Sequence, residues 1–351
     1  MPAQSGAGQS RPIFPEIRLV GEAVQRNARR WREHAGVPVW AVVKADGYCW
    51  DSERLIRLLE AEVDGFFLGD ADEGRAVRSL TQRPIALLAA SDAAETRALL
   101  DEGFIPNVAS LDALAAAAAW GESRSRRARI RVGIVPAAGW SGLLEDAVEP
   151  FARAAGAVAA SVEIQLWTHF TAPELWPAQR ANFDAAIARF KSAGAEVVGT
   201  DVAGTAVCAA QGRSAESLVR IGIGLFGALG SGLSLECAVT IDAPVTSVLR
   251  SDAVASAGYR APERVNTPWL AVVRCGYSDG LPTGLAGTNK IVSIGMQYAV
   301  LARNEPERVG QTLRLLDVSN DLGTFLDKTG ISPHEFIVGL GRHGSGAALA
   351  H

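Results

Sequence analysis

This 351-residue chain lacks several features, and each absence narrows what it can be. It has no basic block: Lys plus Arg is 34 against 38 for Asp plus Glu, a net charge of −4. A nucleic-acid partner calls for a concentrated positive patch, so none is expected. No apolar run reaches membrane-spanning length, so no membrane partner is expected either. The opening MPAQSGAGQSRP is polar and small, without the apolar segment of a secretory signal. It reads as a loose tail over residues 1–14. The cysteines Cys49, Cys208, Cys237 and Cys275 show no CxxC and no regular spacing. They predict reduced thiols in a cytoplasmic protein, with no metal site.

What is present is periodic. Short β-type runs recur at 37–45, 65–70, 84–89, 105–110, 130–135, 162–170, 197–203 and 218–224. They are almost continuously apolar, as parallel strands buried on both faces are. Ala/Leu/Glu/Arg-rich stretches of helical spacing, such as SERLIRLLEAE, separate them. Strand and helix alternating to eight predict a (β/α)8 TIM-type barrel over 15–240. An open doubly wound sheet is the alternative, weakened because no GxGxxG follows the first run. Beyond residue 240, Val, Thr, Ser and Gly increase and helical periodicity fades, so 241–351 is expected to be a mainly β domain. The end, GLGRHGSGAALAH, is expected to be loosely held.

The first run, VPVWAVVKA, stops at Lys44. Chemistry in a (β/α)8 barrel sits at the C-terminal ends of the strands. Desolvation there disfavours the ammonium, and an unprotonated lysine attacks carbonyls, including that of pyridoxal phosphate. A lysine that buries its stem and keeps its charge in water fits the same place. Arg220 lies inside another apolar run, where a charge needs a partner; a structural ion pair with Asp201 is one candidate.

Lys44 is not alone. KADGY, LWTHF, DVAGTAV, VRIGIGLFG, CGYSDGLP and IGMQ are spread along the chain. In order and spacing, over about residues 15 to 340, they resemble the alanine racemase family, fold-type III pyridoxal phosphate enzymes. The resemblance implies that Lys44 holds pyridoxal 5'-phosphate as a Schiff base and serves as one catalytic base. It implies that Tyr48, Thr205, Gly222 and Ile223 hold the phosphate. A helix start with convergent N–H groups suits that anion whatever the family. Arg220 would face the pyridine nitrogen, and His169 would lie beside the ring and link Arg220 to the second base. That base would be Tyr277, on the opposite face and supplied with Met296 by the partner of a homodimer. A tyrosine starts from a pKa of about 10, so it must be tuned by charged neighbours. Each residue also has a plainer reading: a rim aromatic for Tyr48, an N-cap for Thr205, a core histidine for His169, a turn aromatic for Tyr277.

The departures have a pattern. Trp140 stands where the family carries an arginine in a Gly-x-x-Arg-x-Gly loop, and Gly133 where a lysine supports that arginine. Asp201 replaces a histidine, Gln297 an aspartate, and no tyrosine matches near the end. Cofactor-holding groups are kept and substrate-orienting groups are changed. The expected activity is therefore a two-base amino-acid racemase or epimerase whose substrate is not simply alanine, with Trp140 and Met296 in the pocket. Another reaction at the amino-acid Cα, of decarboxylation or retro-aldol type, and a silent cofactor-binding relative are the alternatives.

Overall fold

The computed structural model describes residues 14–135, 142–170, 173–202, 204–230, 232–254, 265–326 and 329–344. The chain divides into two units, Gly21–Glu236 and, together, Met1–Val20 with Cys237–His351. The first strand, β1 (Glu16–Leu19), belongs to the second unit.

The first unit holds β2 (Val39–Val42), β3 (Gly65–Leu68), β4 (Ile85–Ser91), β5 (Ile105–Val108), β6 (Ala128–Gly133), β7 (Val162–Trp167), β8 (Val197–Asp201) and β9 (Val219–Ile221). All pairings are parallel, in the order β8-β7-β6-β5-β4-β3-β2-β9. Helices follow the strands, so this is the expected (β/α)8 barrel, nearly closed between β8 and β9. The expected strand runs and the observed strands coincide one for one.

Short polar side chains start the helices. Asp51, Asp70, Asp92 and Ser110 each accept a hydrogen bond from the backbone N–H three residues on. Each satisfies one orphan donor of a helix N-terminus, about 1 kcal/mol apiece. The Ser52–Leu59 helix then buries Leu55, Ile56 and Leu59.

The barrel interior is split in character. Trp40, Phe67, Ala86, Ile105 and Leu218 form an apolar cluster, with Val42 and Leu88 against it. Beside it, Asn107, Arg131, Gln165, Asp201 and Arg220 are all buried, with Arg131 over the Phe67 ring. Barrels of this type ordinarily fill with branched apolar side chains, so the polar half marks a place where stability is not the only demand.

The second unit is a six-stranded antiparallel sheet. Its remaining strands are β10 (Val239–Arg250), β11 (Trp269–Val273), β12 (Ile291–Ile294), β13 (Ala299–Arg303) and β14 (Thr312–Leu316). The order is β1-β10-β11-β13-β12, with β14 also on β10. Asp242 of β10 takes Arg18 of β1 at 3.1 Å and Arg314 of β14 at 2.8 Å, tying three strands together. This is the mainly β domain expected after the barrel. Among the described residues no helix is long and apolar enough to cross a membrane, and the four cysteines are free.

Candidate active site

The site begins where β2 ends. Lys44 is half-buried, two residues past the strand. The five residues after it, Ala45 to Cys49, all have positive φ, between 50° and 64°. Only Gly47 adopts this left-handed turn freely; the others cost about 1–2 kcal/mol each. Such strain persists only where surroundings enforce it, and it clusters at functional sites. The Glu73 carboxylate accepts the Ala45 N–H at 2.7 Å and the Gly69 N–H at 2.8 Å. Asp46 accepts the Ser52 N–H at 2.9 Å and its hydroxyl at 3.0 Å. The braced turn carries Tyr48 back inside, where it is 5% exposed. Burial pushes its phenol up, so Tyr48 stays protonated and can donate.

Tyr48 meets the strand-end residues of β9. A Cβ on Gly222 would overlap the Tyr48 hydroxyl. Thr205, buried, opens the Thr205–Gln211 helix, and a Cβ on Gly224 would lie 2.7 Å from its methyl. Ile223 is buried in the turn that follows Gly222. His169 lies two residues past β7, and a Cβ on Gly204 would lie 2.8 Å from its Cε1. Lys44, Tyr48, His169, Thr205, Gly222 and Ile223 thus all follow C-terminal strand ends, the catalytic face of this fold.

Arg220 has the partner proposed for it. Its Nε pairs with Asp201 Oδ1, and its Nη2 donates to the Thr168 carbonyl. The other Asp201 oxygen accepts Arg131 Nη2 at 2.8 Å and Gln165 Nε2 at 2.9 Å. The Arg131 guanidinium lies 4.4 Å from the Phe67 ring and 4.9 Å from the Trp167 ring. Trp167 Nε1 in turn donates to Asn107 at 3.0 Å. Burial pulls Arg131 down to about 10, its largest influence, which leaves it charged at neutral pH. Removing one partner from a buried pair of this kind costs about 3–5 kcal/mol.

The second unit carries the other predicted residues. Tyr277 is 47% exposed and Met296 60% exposed. Tyr277 N–H donates to the Gly295 carbonyl and Ser278 N–H to that of Met296, so the two side chains share one turn pair. Arg274 braces it, donating to Asp279 at 2.6 Å and to the Gln297 carbonyl at 3.0 Å. Arg274 is thereby engaged within this unit. Trp140 lies outside the described residues; Gly133 is the last residue of β6.

Two participants escape a reading of the sequence. Glu73 braces the lysine turn from 28 positions away, which no local pattern announces. Arg131 is a charge within an apolar run, the same signal that singles out Arg220.

Comparison with known proteins agrees with this fold. The family model "Alanine racemase, N-terminal domain" matches residues 21–230, more than half of the chain. The alanine racemase of Ralstonia nicotianae is 28% identical over 296 residues, covering 79% of this chain and 75% of the relative. The alanine racemase structure from Bartonella henselae, with covalently bound pyridoxal phosphate, aligns with a TM-score of 0.78 at 21% identity. That alignment covers 95% of this chain and 99% of the other. Histidine racemase from Leuconostoc mesenteroides aligns at 0.70, again at 21% identity, over 93% and 96%. At these identities the structural matches speak for the fold; the family model goes further, and the chain belongs to the alanine racemase family, as a divergent member.

Proposed function

We propose that this chain is a pyridoxal phosphate-dependent amino-acid racemase or epimerase whose substrate is not simply alanine. The observation that carries the reading is the meeting of the Tyr48 hydroxyl with Gly222 beside a strand-end lysine. A glycine there lets the phenol oxygen come up against the backbone, so that a phenol donor and strand-end N–H groups would converge on one phosphate. Thr205 at a helix start adds a hydroxyl to the same cradle. The donor set therefore fits the cofactor: Lys44 for its carbonyl carbon, Tyr48, Thr205, Gly222 and Ile223 for its phosphate, Arg220 for its ring nitrogen.

When bound, pyridoxal phosphate withdraws electrons from the amino-acid Cα and acidifies its proton. Arg220 is paired to Asp201, and a guanidinium is a poor proton donor, so facing the ring nitrogen it would keep electron withdrawal modest. His169 would lie beside the ring. Lys44 Nζ removes or returns the Cα proton on one face, and Tyr277 Oη does so on the other, as inversion requires. We place Tyr277 and Met296 across a homodimer, where a second copy covers their exposed side chains. Four free thiols favour the cytoplasm as the compartment. An indole at position 140 in place of a guanidinium lacks the bidentate carboxylate donor and is largely apolar. The same fold serves a histidine racemase, so side chains larger than a methyl are compatible with it.

The test is α-proton exchange in D2O with pyridoxal phosphate and a panel of L- and D-amino acids. Loss of the Cα–H signal with inversion for some member is expected. Exchange without inversion, or cofactor bound with no exchange anywhere, would overturn the racemase reading.

A further inference from the structure

We infer that Arg131 is an anion-binding residue of this site, taking an oxyanion of the bound ligand on its Nε and Nη1. The oxyanion is the amino-acid carboxylate or the ring phenolate of the cofactor. The inference rests on the function proposed above.

Arg131 is 0% exposed, and among the described residues only its Nη2 is used, on Asp201. Its Nε and Nη1 are buried with no hydrogen-bond partner among the described residues. Buried donors on a charged group are rarely left unused in a native structure. The charge is unbalanced as well. Among the described residues, Arg131 and Arg220 share one carboxylate, Asp201, so these three groups carry one net positive charge. A buried cation without an anion is costly, so an anion is expected to complete the cluster.

The strand register points to where that anion arrives. On β6, Arg131 is paired with Gln165, and Gly133 with Trp167, which is level with Asp201. Alternation puts Arg131 and Gly133 on the same face. Gly133 has no side chain, so nothing from β6 stands between the Arg131 head and the strand end. The head already reaches that layer, since it touches the Asp201 carboxylate and the Trp167 ring. Phe67 and Trp167 fix its direction. The two departures at positions 133 and 140 thus belong with a third residue. The cation that the sequence lacks at position 140 is supplied instead from β6.

Protein labelled with 15N-arginine gives an Nε–H resonance for Arg131, identified by its loss in Arg131→Lys. Sodium acetate is titrated against sodium chloride at equal ionic strength, first without cofactor and then with pyridoxal phosphate. A saturable shift with acetate that persists after cofactor binds assigns the carboxylate as the source. A shift on binding pyridoxal phosphate that abolishes the acetate response assigns the phenolate. Arg131→Gln is expected to weaken the responsible anion about 10- to 100-fold. If that variant does not fold, the wild-type titration still decides. No response to acetate or to pyridoxal phosphate overturns the inference. An acetate response in a protein that never binds pyridoxal phosphate overturns the proposed function and leaves the anion site standing.

Discussion

The Tyr48 hydroxyl lies where a side chain on Gly222 would begin. Tyr48 comes from the left-handed turn after β2 and Gly222 from the end of β9, neighbouring strands of the barrel. Gly222→Ala is therefore expected to displace the phenol. Overpacking of this kind costs about 1–3 kcal/mol, read as a lower midpoint in thermal unfolding. Affinity for pyridoxal phosphate, followed by its visible absorption, is expected to fall. Adding Tyr48→Phe removes the overlapping oxygen, so the double variant regains stability while still binding cofactor weakly. If Gly222→Ala binds cofactor like wild type, the phosphate is not held here.

Tyr277→Phe separates a base from a surface aromatic. The side chain is 47% exposed, so removing its hydroxyl should change stability by no more than about 0.5 kcal/mol. Exchange of the α-proton should fall much further for one enantiomer than for the other. Equal loss from both, or none, would remove Tyr277 from the mechanism.

Asp242 makes the second unit sensitive to acid. Burial alone would raise its carboxyl, but the hydrogen bonds from Arg314 and Arg18 outweigh burial and hold it below its ordinary value of 3.8. A folded pKa below the unfolded one adds stability above the unfolded value, and that stability is lost as pH falls through the folded value. Asp242→Asn should therefore be the less stable protein at neutral pH. Its deficit should shrink as pH falls below about 4, measured by urea unfolding at each pH. A deficit that does not change with pH would mean that packing, not charge, is what Asp242 contributes.

The barrel strands are legible in the sequence because strands buried on both faces leave unbroken apolar runs. Lys44 is legible for the complementary reason, a charge that ends such a run. β1 is not legible: EIRL is four residues long, and its partner on β10 lies more than 200 positions away. The left-handed turn is hidden because ADGYC offers a single glycine for five residues of positive φ. Its stability comes from Glu73, a contact that only the fold creates. Arg220 and Arg131 show the limit most plainly. Both break apolar runs, yet only the three-dimensional pairing reveals that they share Asp201.

Where the cofactor attaches to the chain decides between a pyridoxal phosphate enzyme built on Lys44 and any other reading. The sequence has four lysines, Lys44, Lys191, Lys290 and Lys328, so the assignment is unambiguous. Protein incubated with pyridoxal phosphate is reduced with borohydride, digested and mapped by mass spectrometry. The added mass is expected on the peptide containing Lys44, together with a visible absorption band that Lys44→Ala abolishes. A specific adduct on another lysine, or a Lys44→Ala protein that stays yellow, would contradict it.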